Sequence, residues 1–261
     1  MPYWLIRPIA WLVFHALYLL FGGLKIEGRN NVPTTGGVLI TPNHISDADP
    51  PTVAIALPRA CWVMAKEEIF AMKIVGPISR WLHGFPVKRY TADRAALRRA
   101  EDLLKSGEAV VIFPEGKLSV DGKLQPILPG ALLVARSANV SIIPTAIIGS
   151  DLIIPYGKLI PRPSFRKTIV RFGPPITAAQ LTGGVKGGDA LRLGAERLHA
   201  CLLALQQGLP YPEFGIAQKT NNIEGEASLS TPCSLPRTSL LVRQAERGEE
   251  RANEGGIGDG D

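Results

Sequence analysis

Short apolar runs and longer amphipathic runs alternate along the chain between Lys25 and Glu213. The apolar runs predict buried strands over residues 37–41, 60–65, 84–88, 109–113, 141–148 and 168–172. The amphipathic runs predict helices over residues 51–57, part of 66–82, 93–106, 130–139 and 189–207. Strands that alternate with helices are typical of an α/β fold, in which a mostly parallel sheet is covered by helices on both faces.

The most apolar segment is residues 1–24, but its pattern falls short of a membrane span. Arg7 and His15 interrupt it, and the run without Lys, Arg, Asp or Glu over residues 8–24 is 17 residues long, whereas a spanning helix needs about 20. Amphipathic aromatic residues typical of a bilayer interface also lie in this segment, namely Trp4, Trp11 and Tyr18. We expect a membrane-associated helix that lies in or dips into one leaflet, with a buried soluble helix as the alternative.

The composition changes after Phe214, where Ser, Gly, Glu, Arg and Asn replace the large apolar residues. Such a segment cannot bury enough surface to offset the entropy lost on ordering it. We therefore predict a membrane-associated helix over residues 1–24, one α/β domain over residues 25–215 and a disordered tail over residues 216–261. A chain of 261 residues is long enough for one good-sized core of this kind.

The formal charge of +6 is unevenly distributed, because residues 219–261 carry a net −3 and leave about +9 on the rest. A basic domain suits an anionic partner such as a phosphate or a membrane surface, although a general solubility charge is the alternative. The basic residues are not interleaved with aromatic residues, so a nucleic-acid partner is disfavoured. Three widely spaced cysteines indicate neither a disulfide framework nor a metal site, and they fit a cytoplasmic-facing location.

The stretch NHISDADPP, residues 43–51, follows the strand predicted over residues 37–41. His44 and Asp49 would therefore lie at the carboxyl end of a strand, where open α/β sheets usually bind their ligands. The carboxylate could fix the tautomer of the imidazole, which would then accept a proton from a hydroxyl nucleophile. The alternative is structural, because Asp47 or Asp49 is also a suitable N-cap for the helix that begins at the Pro-Pro step.

Two further strand ends carry polar residues. Glu115 and Gly116 follow the strand over residues 109–113, where a carboxylate could bind hydroxyls and a glycine would let the backbone approach a ligand. Lys88 and Arg89 end the GFPVKR run, and an arginine there could hold a phosphate. An ordinary turn and a solvated basic strand edge are the respective alternatives. In addition, Pro144 interrupts the strand over residues 141–148, which favours a sheet edge or a bulge near the site.

Four runs occur in order along the chain: NHISDADP from Asn43, GFPVKR from Gly84, FPEGKLS from Phe113 and IIPTAI from Ile142. In this order and spacing they resemble the motifs of the glycerolipid acyltransferases, in particular the 1-acylglycerol-3-phosphate acyltransferases. The resemblance covers roughly residues 25–215. It implies an α/β enzyme at a membrane surface that moves a fatty acyl group from acyl-CoA or acyl-carrier protein to the free sn-2 hydroxyl of lysophosphatidic acid, giving phosphatidic acid without a cofactor or metal.

The resemblance also implies roles for individual residues. His44 matches the catalytic base and Asp49 the acid that orients it. The implied substrate-binding positions are Lys88, Arg89, Glu115, Gly116, Lys117 and Pro144. The chain departs from the family at Leu118, where an arginine is common, so an acceptor with another headgroup is an alternative. A lipid-binding protein without catalysis is a second alternative, disfavoured because a binding protein has no need of the His44, Asp49 and Glu115 trio.

Overall fold

The computed structural model describes residues 22–73, 75–81, 83–88, 93–158, 164–185 and 187–214, with residue 162 and a few positions before residue 21. Eight strands in this part of the chain form one sheet. They are β1 (Leu24–Glu27), β2 (Val38–Pro42), β3 (Cys61–Lys66), β4 (Gly84–Val87), β5 (Ala109–Val111), β6 (Ser141–Ile148), β7 (Thr168–Phe172) and β8 (Ile176–Thr177). Val, Ile and Leu make up at least half of each of β2, β5 and β6, as expected for strands that are buried on both faces.

The described helices differ in how clearly the sequence marks their ends. They are α1 (Asp49–Ala56), α2 (Glu67–Ala71), α3 (Val75–Trp81), α4 (Arg94–Lys105), α5 (Gly130–Ala138), α6 (Ala178–Thr182) and α7 (Gly188–Gln207). The side chain of Asp93 caps α4 by accepting the N–H of Ala96, and Gly208 ends α7 in a left-handed conformation. At these two helix ends, a residue next to the end explains where the helix begins or stops.

The sheet has the strand order β1-β7-β6-β2-β5-β3-β4, with β8 paired to β6. The five strands from β6 to β4 run parallel, whereas β7 and β8 are antiparallel to β6. Val38 in β2 pairs with both Ala109 in β5 and Ser141 in β6, so these strands start at the same level. Their carboxyl ends consequently meet at one edge of the sheet, which is where the candidate residues lie.

Two apolar cores pack on opposite faces of the sheet. Leu39, Val110 and Ile142 point to the face covered by α4, α5 and α7. Their neighbours in the strands, such as Ile40 and Val111, point to the face covered by α1. Because side chains alternate along a strand, the nearly unbroken apolar runs bury both faces. The prediction of a mostly parallel sheet with helices on both sides is confirmed.

The six predicted strands and five predicted helical regions all occur, with ends shifted by a few residues. The sequence pattern missed the short elements β1, β8 and α6, which have too few residues for a periodic signal. Most of the predicted N-terminal helix and the tail beyond residue 214 lie outside the described residues. Within the part of the chain that the structure describes, no helix is long and apolar enough to cross a bilayer.

The expectation that Pro144 marks a sheet edge or a bulge is wrong. Pro144 lies inside β6, between β2 on one side and the antiparallel strands β7 and β8 on the other. Its carbonyl accepts the N–H of Gly173, in the segment that joins β7 to β8. The proline nitrogen faces the same side, where β7 has ended and β8 has not begun. An interior strand therefore tolerates proline at a position that needs no ladder donor.

Candidate active site

His44 lies in the loop after β2, where Asp49 fixes its ring. The Nδ1 atom of His44 is 3.0 Å from Asp49 Oδ2. The same oxygen accepts the backbone N–H groups of Ile45 at 2.7 Å and Ser46 at 2.8 Å. The loop is therefore folded around one carboxylate oxygen, which sets the orientation of the imidazole. No described group hydrogen-bonds Nε2, so this nitrogen can meet a substrate hydroxyl.

The competing interpretation of the acids as helix caps is wrong. The N-cap of α1 is Ala48, and Asp49 is the first residue of the helix, with the two prolines following it. Asp47 is exposed. The carboxylate of Asp49 is turned to the His44 loop, and its position in the first turn of α1 also suits a negative charge.

The second oxygen of Asp49 is held from the end of the neighbouring strand β6. Ser150, two residues after β6, donates its hydroxyl to Asp49 Oδ1 at 2.5 Å. Asp49 has no solvent exposure, so these four hydrogen bonds replace the water that the carboxylate loses on burial. Sequence reasoning missed Ser150, whose sole signal is a polar residue just beyond a strand end, 101 residues from its partner.

Glu115 is a second buried carboxylate beside His44, and both of its oxygens are occupied. Oε1 accepts the backbone N–H of His44 at 2.7 Å, and Oε2 accepts the backbone N–H of Gln125 at 2.7 Å. The residue is 3% exposed, and burial raises its pKa above the usual range, although the two N–H donors act in the opposite direction. Ser119 adds a third link, because its N–H donates to the carbonyl of His44 at 2.8 Å.

Phe113 and Gly116 shape the same turn. The ring of Phe113 stacks on the imidazole of His44, with 4.1 Å between centroids and 29° between planes. Gly116 has a φ of 69°, and a Cβ at this position would lie 2.5 Å from Leu128 Cδ1. The positive φ therefore favours glycine at this position, whereas the exposed side chain of Leu128 could move away from a Cβ.

An apolar cleft of about 450 Å³ opens beside this turn, at the carboxyl ends of β3, β4 and β5. Its walls include Phe113, Gly116 and Leu128. Two cations also line it, Lys66 at the end of β3 and Lys88 just after β4. The carboxylate of Asp93 lines the cleft as well, so the two ammonium groups leave a net positive charge. Apolar walls with a net positive charge suit a molecule that combines a hydrocarbon with an anionic group.

The predicted site residues are only partly gathered by the fold. His44, Asp49 and Glu115 converge, and Lys88 and Gly116 line the cleft. Lys117 is exposed on the turn after Glu115. Arg89 lies outside the described residues. Sequence reasoning missed Lys66, since an isolated lysine at a strand end carries no pattern of its own.

No metal centre accompanies these residues within the described part of the chain, where no three His, Cys, Asp or Glu side chains are grouped to hold an ion. What the arrangement can do chemically is accept a proton at His44 Nε2, while Asp49 stabilises the imidazolium that forms.

Comparison with known proteins relates this arrangement to one family. Residues 23–148 match the family model described as Acyltransferase. This region contains β1 to β6 and every described residue of the His44 site except Ser150. The segment that matches the family model is therefore the segment that carries most of the His44 site.

Two relatives of this chain are named for the same enzyme activity. A 1-acyl-sn-glycerol-3-phosphate acyltransferase of Bacillus subtilis is 32% identical over 131 residues, which is 50% of this chain and 65% of that protein. A chloroplastic enzyme of the same name from Arabidopsis thaliana is 33% identical over 141 residues, covering 52% of this chain and 39% of that protein. The matched part of the chain thus spans less than two thirds of the length of either relative.

A solved structure is also similar. The crystal structure of the 1-acyl-sn-glycerophosphate acyltransferase PlsC from Thermotoga maritima has a TM-score of 0.59 and 25% sequence identity, and the match covers 78% of each chain. The likeness extends beyond the residues that the family model matches.

Proposed function

This chain belongs to the acyltransferase family through residues 23–148, and we propose that it transfers a fatty acyl group from an acyl thioester to the free sn-2 hydroxyl of 1-acylglycerol-3-phosphate. The observation that carries the proposal is the contact between His44 Nδ1 and Asp49 Oδ2 at 3.0 Å, which leaves Nε2 as a base. The names of the relatives support the same acceptor. The product would be phosphatidic acid, and the free carrier thiol would leave.

His44 would act as a general base in one step of transfer. Its Nε2 takes the proton of the acceptor hydroxyl as the hydroxyl oxygen attacks the thioester carbonyl. Asp49 keeps the proton on Nδ1 and stabilises the imidazolium. The C–S bond then breaks, and the proton on Nε2 goes to the departing thiolate. A thioester is already activated, so the proposal needs no covalent enzyme intermediate.

Glu115 serves this mechanism as a positioning residue in our proposal, in place of the direct substrate contact implied by the family resemblance. Its two oxygens already accept backbone N–H groups of His44 and Gln125. A hydroxyl of the acceptor would have to compete with these buried hydrogen bonds, each of which involves a charged acceptor and is worth about 1.5 to 3 kcal/mol. Glu115 therefore ties the loop of the base to the wall of the cleft.

Lys66 and Lys88 are the cations that the structure offers to the acceptor's phosphate. Both line the cleft, whereas Lys117 is exposed at the turn and Leu118 is half-buried. A phosphate near these two ammonium groups would balance the net positive charge that they leave beside the carboxylate of Asp93 in the cleft. Arg89 remains a predicted third cation.

A membrane surface is the proposed location, because both substrates partition into lipid. Leu12, Leu19 and Leu20 are exposed, at 64%, 79% and 72%, while Tyr18 is buried and its hydroxyl hydrogen-bonds Thr52 of α1. Exposed leucines beside a residue docked on the domain fit a segment that contacts lipid on one side and the enzyme on the other.

The first experiment measures transfer of a labelled acyl group to lysophosphatidic acid in vesicles, comparing the wild type with His44→Ala. The variant should lose at least about a hundredfold in rate, because it lacks the base. His199→Ala is the matched control, since His199 lies on α7 and lines a different surface depression. Transfer to another lysolipid alone would reject the acceptor, and no transfer to any lysolipid would reject the enzyme.

A further inference from the structure

A second concave surface lies on α4 and α5, next to the apolar cleft. It encloses about 460 Å³. The residues that line it are Arg94, Leu97, Arg98, Glu101, Leu133, Val134, Arg136 and Ser137. We call the three arginines and the depression between them the arginine face. Its composition, three guanidinium groups around an apolar floor, differs from an ordinary solvated helix surface, where charges of both signs alternate.

The three guanidinium groups of the arginine face are exposed. Within the described residues, Arg94, Arg98 and Arg136 make neither a side-chain hydrogen bond nor an ion pair. The one carboxylate among them, Glu101, accepts Lys105 Nζ at 2.5 Å and the Ser137 hydroxyl at 2.6 Å through one oxygen. Glu101 also interacts electrostatically with Arg98. Because Lys105 compensates the one acid, a net positive charge is left on the arginine face to attract an external anion.

The arginine face continues into the cleft beside His44. Leu97 on α4 and Leu133 on α5 line both depressions. A ligand could therefore lie on the arginines with one part and enter the apolar cleft with another, passing over these two leucines. The surface depression on α7 shares neither leucine.

We propose that the arginine face binds the phosphate groups of a coenzyme A thioester while its acyl group enters the cleft. The inference rests on the proposed function and names the carrier of its acyl donor. Coenzyme A carries a diphosphate and a further phosphate on its ribose, and a guanidinium binds phosphate oxygens in a two-pronged geometry. The apolar floor formed by Leu97 and Val134 suits the adenine ring.

The size of the arginine face favours a nucleotide over a carrier protein. A concavity of about 460 Å³ falls in the usual range for small-molecule sites, about 300 to 1,000 Å³. A protein partner commonly buries about 800 Å² on each side, over 20 to 30 residues. Eight lining residues around a depression match the smaller ligand.

The test compares the wild type with the double variant Arg98→Glu/Arg136→Glu in the full-length protein. The dissociation constant of free coenzyme A should rise at least about tenfold, and the KM for an acyl-CoA should rise in parallel, because two attractive charges become repulsive. The kcat and the KM for lysophosphatidic acid should stay within about twofold, since neither arginine contacts the His44 loop. Thermal unfolding checks that the variant folds.

Arg192→Glu is the matched control, an exposed arginine on α7 that lies 3.4 Å from Glu196. It should leave the binding of coenzyme A unchanged. Equal weakening by both reversals would mean a general charge effect and would overturn the proposal, as would unchanged affinity in the double variant. A loss seen with acyl-carrier-protein donors but not with coenzyme A would overturn it in favour of an acidic protein.

Failure of the proposed function would look different. Coenzyme A binding is measured without turnover, so the arginine face stands or falls on that measurement alone. If coenzyme A binds at these arginines while the wild type acylates no lysolipid, the binding site is supported and the acyltransferase proposal is rejected.

Discussion

The surroundings of His44 and the arginine face are built in opposite ways. Around His44, the carboxylates of Asp49 and Glu115 are 0% and 3% exposed, and all four of their oxygens accept hydrogen bonds from the protein. On the arginine face, Arg98 and Arg136 are exposed, and neither makes a side-chain hydrogen bond with the residues that the structure describes. A buried polar group must be satisfied internally, whereas an exposed cation can leave its partner to a ligand. The first region is thus suited to fixed geometry, the second to recognition.

The largest effect should come from Asp49→Asn, which removes the carboxylate at the centre of the His44 network. An amide has one acceptor oxygen and an NH2 group that would face donors, so His44 would lose its orientation and the preferred tautomer. We expect kcat to fall by about a thousandfold or more, in line with the loss of orienting acids elsewhere. The rate of acyl transfer under saturating substrates measures it.

Asp47→Asn is the control for this substitution. Asp47 is two residues away, exposed, and outside the network of His44. Equal losses in both variants would show that negative charge near the loop matters and that the contact with His44 does not.

A smaller effect is expected from Glu115→Gln, because this residue acts through the backbone of the loop. One of the N–H groups of His44 and Gln125 would face an NH2 group and lose its acceptor, at a cost of about 1 to 3 kcal/mol. The kcat should fall by about ten- to a hundredfold, with the KM for lysophosphatidic acid nearly unchanged. Glu68→Gln, an exposed glutamate on α2, is the control.

An unchanged kcat with a strongly raised KM for the acceptor would assign Glu115 to substrate binding after all.

The pH dependence of stability gives an independent test of Glu115. Burial raises the pKa of Glu115 in the folded state, so its contribution to stability is full below the ordinary pKa of glutamate and is lost as pH rises through the raised value. The free energy of unfolding of the wild type, relative to Glu115→Gln, should therefore decrease with rising pH across that window.

The smallest effect is expected from a change in salt concentration, which distinguishes the exposed arginine face from the buried His44 network without any substitution. Raising the ionic strength from about 0.01 to 0.15 M shortens the screening length from about 30 to 8 Å. The KM for acyl-CoA should rise a few-fold, because the arginine face is exposed, while kcat is insensitive because the His44 network is buried. In Arg98→Glu/Arg136→Glu, the rise in KM should disappear. A rise of the same size in that variant would place the salt-sensitive contact elsewhere.

Much of the fold follows from patterns that act over a few residues. The helix α4 has its cap at Asp93 and apolar residues at helical spacing, and β6 is rich in β-branched residues on both sides of Pro144. The spacing of His44 and Asp49 likewise predicted a contact that one loop can make. The expectation of a sheet edge or a bulge at Pro144 was wrong because the surroundings of this residue depend on where β7 ends, which is a property of another part of the chain.

By itself, the sequence determined the order of strands and helices, the two-sided burial of the sheet and the pairing of His44 with Asp49. Only the tertiary structure decided that Ser150 holds Asp49, that Glu115 spends both oxygens on backbone N–H groups, and that Lys66 lines the cleft. Local structure is encoded by the spacing of apolar residues along the chain and by the residues that cap helices. Contacts between residues about 70 to 100 positions apart depend on which strands lie side by side and in which register, and that is settled by packing the whole sheet.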